Sequence, residues 1–103
     1  MHEIATRAQL EAAAASPTPT LIWYSAKWCG PCRRINADAL LAATADAKIA
    51  FAHCDVDKVS MAVHIHSIDR IPTFILWQRD REVARLNSAD TAEIARWITH
   101  NAK

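Results

Sequence analysis

Residues 21 to 26, Leu21-Ile22-Trp23-Tyr24-Ser25-Ala26, are dominated by apolar side chains at odd and even positions alike. A strand with one wet face alternates; a strand that is apolar on both faces is covered on both, as in parallel sheets. The run predicts a central strand sandwiched between helices, which restricts the chain to α/β architectures.

The flanking segments fit that plan. Thr6 and Gln9 read as a capping box ahead of Leu10-Glu11-Ala12-Ala13-Ala14-Ala15, a stretch of strong helix formers. Residues 16 to 20 contain Pro17 and Pro19 and read as a loop. Pro31 suits a first helical turn, and the pattern predicts a helix from there to about Ala45. Residues 48 to 56 predict a strand, residues 58 to 65 a short helix, and residues 73 to 77 another apolar strand. Residues 78 to 81 make a polar turn into a strand in which Val83 alternates against polar neighbours. Asp90 and Glu93 form a second capping box, and Ile94, Trp97 and Ile98 share one face of a final helix. The order α, β, α, β, α, β, β, α implies parallel crossovers followed by an antiparallel hairpin. At 103 residues the chain is one domain, residues 1 to 103.

The net charge is +1 with 22% charged residues, which gives no sign of a nucleic-acid or membrane partner. The apolar runs fall short of a membrane span, and the polar start has no basic-then-apolar leader pattern, so a reducing cytoplasm is the expected location. Three cysteines there do not make a disulfide framework; they favour catalysis or metal binding.

Cys29 and Cys32 are separated only by Gly30 and Pro31, at a strand end leading into a helix. Free N–H groups at a helix N-terminus stabilise a thiolate, the reactive species in thiol–disulfide exchange. Cys29, at the exposed edge, is expected to attack; Cys32, one turn deeper, to resolve the mixed disulfide. A closed zinc site wants four ligands, and no second close pair exists, so no metal is expected. A third reading makes the domain a binding module or accessory subunit whose cysteines are incidental.

The run Trp28-Cys29-Gly30-Pro31-Cys32 resembles the active-site signature of the thioredoxin family. Ile71-Pro72-Thr73 resembles that family's cis-proline segment, and Asp55-Val56-Asp57 its strand end before the third helix. The resemblance runs from about Ile4 to Ala102. It implies a thioredoxin fold: a three-layer α/β/α sandwich whose four- to five-stranded mixed sheet is flanked by four helices, with Pro72 cis. It also implies a monomeric oxidoreductase that reduces protein disulfides with no cofactor beyond its own redox-active Cys29–Cys32 disulfide. A flavoprotein reductase of the thioredoxin-reductase type would return the electrons. Carried over, Trp28, Gly30 and Pro31 flank the site, and Ile71, Pro72 and Arg70 meet substrate.

Several positions depart from the family pattern. The buried acid that usually serves the resolving cysteine aligns with Trp23, and its usual lysine partner with His53, so His53, or a water, is the candidate for proton transfer. Ala37 replaces a mid-helix proline, which implies a straighter helix. Arg70 replaces a glycine; with Lys27, Arg33 and Arg34 it would ring Cys29 with positive charge, lower its pKa and favour acidic partner segments. Cys54 reads as a buried, inert thiol, His64 and His66 as surface histidines, and Trp77 and Trp97 as core or groove-edge aromatics.

Overall fold

A computed structural model describes residues 1–102. Its centre is strand β2 (Thr20–Ser25), in which all six residues are buried. The elements ahead of it are β1 (His2–Ile4) and helix α1 (Arg7–Ala15). After it come α2 (Ala37–Asp46), β3 (Ala50–Asp55), α3 (Ala62–Ile65), β4 (Thr73–Gln78), β5 (Arg81–Leu86) and α4 (Thr91–His100). The sheet order is β1-β3-β2-β4-β5. β1 and β2 run parallel to β3, whereas β4 runs antiparallel to β2 and β5.

Alternation along β2 divides the core in two. Ile22 and Tyr24 join Ile4, Leu10, Ala14 and Ala62 on the face covered by α1 and α3. Leu21 and Trp23 join Leu40, Phe74, Ile94 and Ile98 on the face covered by α2 and α4. Truncating one such buried side chain to alanine costs about 2–5 kcal/mol. The layers match the expected three-layer sandwich with a mixed five-stranded sheet. Among the described residues no helix is long and apolar enough to cross a membrane.

Local signals fix the ends. The Thr6 hydroxyl accepts from Gln9 N–H at 3.1 Å, and Gln9 Oε1 reaches back to Ala5 N–H at 2.7 Å. Asp90 accepts from Glu93 N–H at 3.1 Å. Among the described residues, four that are not glycine adopt left-handed φ: Lys48 at 59°, Ser67 at 54°, Arg79 at 51° and Asp80 at 66°. Lys48 and Ser67 close α2 and α3, whose final carbonyls receive Ile49 N–H at 2.9 Å and Ile68 N–H at 3.0 Å. Arg79 and Asp80 form the two-residue β4–β5 turn, where paired left-handed residues match the strand twist.

Four expectations are corrected. β1 was not anticipated, since only Ile4 of its three residues is buried. The expected helix from Pro31 to Ala45 is two pieces: a 3-10 turn over Pro31–Arg34, then α2. Asn36 makes the break by capping α2, its side chain accepting from Ala39 N–H at 3.2 Å while its own N–H donates to Thr91 Oγ1 at 3.0 Å. The absence of a proline at Ala37 therefore does not straighten the segment. Val83 sits at the bulge where the β4–β5 register shifts, so its side chain is exposed instead of alternating inward.

Candidate active site

β2 delivers the chain to the two cysteines. Cys29 N–H donates to Ala26 O at 3.1 Å, and Arg33 N–H to Gly30 O at 3.1 Å, so a tight loop runs straight into the 3-10 turn. Cys29 and Cys32 are disulfide-bonded, with Cα atoms 5.3 Å apart. The N–H of Cys32 lies 3.2 Å from Cys29 Sγ. With the pair reduced, that donor meets a thiolate on Cys29, and a hydrogen bond to the charged form favours that form.

Two parts of the expected geometry change. Cys29 is 4% exposed and Cys32 6%, so Cys29 does not occupy an exposed edge in this oxidised loop. A four-residue 3-10 turn also carries little macrodipole, so one directed N–H replaces the long helix as the thiolate's support.

Trp28, the residue before Cys29, lines an open groove of about 380 Å³ together with Val63, Ile68, Ile71, Asp69 and Arg70. Trp28 is 66% exposed, and its Nε1–H donates to Asp57 Oδ2 at 2.9 Å. The Ile71–Pro72 bond is cis. Thr73 Oγ1 donates to Arg70 O at 2.5 Å, and Asn87 Nδ2 donates to Pro72 O at 2.5 Å, which pins this segment from both ends. A Cβ placed on Gly30 meets nothing within 4 Å, so that edge of the loop faces open space. The hydrogen bonds that Asp57 and Asn87 make were not foreseen from the sequence, because their partners lie 29 and 15 positions away.

A separate cleft of about 510 Å³ is reached by Trp23, Ser25, Cys32, His53 and Glu3, with Lys27, Arg33, Asp55 and Lys58 around it. The expected basic ring is therefore split: Lys27 and Arg33 belong to this cleft, Arg70 to the groove, where Asp69 stands beside it. Arg33 Nη2 also donates to Lys27 O at 2.7 Å. Trp23 stacks between Phe51 and Phe74, with centroids 6.4 and 5.8 Å away. Its edge meets His53 at 5.0 Å. Trp23 Nε1 is buried without a hydrogen-bond partner among the described residues. His53 bonds Glu3 Oε1 at 2.8 Å through Nδ1 and Ser25 Oγ at 2.5 Å through Nε2.

Away from the site, Cys54 is fully buried. Burial, reinforced by Asp55 and Glu3, pushes its thiol up to about 12. His66 is not a surface histidine. It is 7% exposed, and burial lowers its pKa. His64 is exposed.

The family model described as Thioredoxin matches residues 2–100. The chain is 32% identical over 78 residues to thioredoxin H2-1 of Oryza sativa subsp. japonica, a match covering 76% of this chain and 56% of that protein. It is 31% identical over 83 residues to the thioredoxin of Mycoplasma pneumoniae, covering 81% of each. The solution structure of oxidised thioredoxin from Plasmodium falciparum matches with a TM-score of 0.89, over 100% of this chain and 99% of that one, at 24% identity. The chain spans little more than half the length of several curated relatives it matches, 56 to 58%.

Proposed function

The chain belongs to the thioredoxin family, and on that premise we propose that it is a thiol–disulfide oxidoreductase that reduces protein disulfides. Cys29 attacks the substrate disulfide and Cys32 resolves the mixed disulfide that results. The observation that carries this reading is the Cys32 N–H held 3.2 Å from Cys29 Sγ, because it stabilises a thiolate on Cys29 and not on Cys32.

The substrate strand lies in the groove beside Trp28 and meets Ile71, which the cis Pro72 bond positions, while Arg70 meets acidic side chains. Gly30 and Pro31 keep the approach to Cys29 low. The proton that Cys32 must lose is taken up on the cleft side, at His53. No cofactor is needed beyond the cysteine pair, which is recharged by a dithiol donor such as a flavoprotein reductase of the thioredoxin-reductase type. The domain works as a monomer in a reducing compartment such as the cytoplasm, where free thiols persist.

The test is reduction of insulin disulfides in the presence of dithiothreitol, read as turbidity. Wild type is expected to accelerate precipitation, and Cys29→Ser to abolish the effect. Unchanged activity in Cys29→Ser sinks the redox reading and leaves a binding module in its place.

A further inference from the structure

Three strands place one hydrogen-bonded row in the cleft that the resolving thiol lines. Glu3 of β1 pairs in register with His53 of β3, and Ser25 ends β2 two residue pairs further along, on the same face of the sheet. Glu3 Oε1 meets His53 Nδ1 at 2.8 Å, and His53 Nε2 meets Ser25 Oγ.

The direction of the bonds follows from what each group can do. A carboxylate only accepts, so His53 Nδ1 carries the proton and Nε2 is left as an acceptor. Ser25 must therefore donate to Nε2, and its oxygen lone pairs stay available to the cleft that Cys32 lines. Ser25 is 5% exposed, whereas the Glu3 side chain is 61% exposed, so the row runs from the interior out to solvent. A buried acceptor, a neutral imidazole and an outer carboxylate, in that order, make a path for a proton.

We propose that Ser25, His53 and Glu3 form a proton relay that deprotonates Cys32. This rests on the exchange reading above. In the mixed disulfide, Cys29 Sγ is bonded to a substrate sulfur. Cys32 Sγ–H gives its proton to Ser25 Oγ as Ser25 passes its own to His53 Nε2. The Cys32 sulfur then bonds Cys29 Sγ, the bond from Cys29 to the substrate breaks, and the substrate sulfur leaves with the electron pair. The imidazolium, held by Glu3, returns the proton to that departing thiolate. The cysteine pair is oxidised and the substrate disulfide reduced. Ser25 and His53 move the proton; Glu3 is a positioning residue. The other charges facing His53 across the cleft are Asp55 of β3, Lys27 and Arg33 after β2, and Lys58 after β3, with the thiol of Cys32 itself.

Rapid mixing of the reduced protein with dithionitrobenzoate separates the steps. The first thionitrobenzoate released reports attack by Cys29; the second reports resolution by Cys32. The readout is the ratio of second to first rate across pH. Ser25→Ala and His53→Gln are expected to lower that ratio about tenfold near pH 7, at or below the usual reach of general-base catalysis. They converge on wild type above about pH 9, where a thiol ionises unaided. Glu3→Gln is expected to lower the ratio by a smaller factor, with Glu3→Asp restoring it. Buried Cys54 monitors the fold, since an unfolded variant releases a third equivalent. A ratio and pH profile unchanged in Ser25→Ala and His53→Gln overturns the relay while leaving exchange intact. A wild type that releases only one equivalent overturns the exchange reading, and the relay with it.

Discussion

The Tyr24 hydroxyl donates to His66 Nδ1 across 2.6 Å of buried interior, and it is free to donate because Trp77 Nε1–H, 2.9 Å away, occupies its acceptor side. The chain of donors fixes His66 as neutral, with Nε2–H as its remaining donor. Tyr24→Phe strands the Trp77 donor and the His66 acceptor together. It is expected to cost about 2–3 kcal/mol, measured by urea unfolding at neutral pH.

His66 also sets an acid limit. Burial holds its folded pKa below the ordinary 6.5. The unfolded chain therefore binds the proton first, so this contribution is present above pH 6.5 and is lost as pH falls through the folded value. Unfolding free energy measured from pH 7 downward should decline, and His66→Gln should flatten that decline.

Cys54 sets the opposite limit. Its folded thiol titrates near 12 against an ordinary 9.0, so stability is full below pH 9.0 and is lost as pH rises towards 12. Each pH unit in that window removes about 1.4 kcal/mol per such group. Burial raises the Tyr24 phenol too, which extends the loss to higher pH. Cys54→Ala should soften the alkaline decline without changing insulin reduction. Native reduced protein should yield two reactive thiols and denatured protein three.

Among the described residues that line the Trp28 groove, Arg70 is the only cation, and Asp69 stands beside it. Turnover of an acidic disulfide peptide should fall about three- to tenfold in Arg70→Glu and should fall with added salt in wild type. Salt-independent rates with that peptide would remove Arg70 from substrate binding.

Asp57 holds Trp28 over the groove through one exposed hydrogen bond. Asp57→Ala should raise KM for protein disulfides severalfold with kcat nearly kept, while costing under about 1 kcal/mol in stability. Comparing steady-state constants with thermal unfolding separates the two effects.

Strands β2 to β5, the caps at Thr6 and Asp90 and the cysteine pair could be read from the chain because each signal is local, although Glu93 bonds Ser88 instead of closing a second capping box. Thr6 and Gln9, or Cys29 and Cys32, stand within one turn of each other. β1 could not be read, since His2–Ile4 offers one buried residue and no period. The helix break was written in Asn36, a good N-cap, but the helix-forming residues after it masked the signal. His66 looked like a surface residue because its partners, Tyr24 and Trp77, lie on distant strands. Glu3 and Ser25 were invisible for the same reason: fifty positions separate Glu3 from His53, and only sheet register joins them.

The left-handed residues have a practical corollary. The chain holds one glycine, and it is not spent on any of the four positive-φ positions. Lys48 and Ser67 carry exposed side chains at helix ends where a side chain on Cβ strains the backbone. These two turns are the natural places to engineer thermal tolerance, because glycine there relaxes the chain and neither side chain lines the groove or the cleft beside the cysteines.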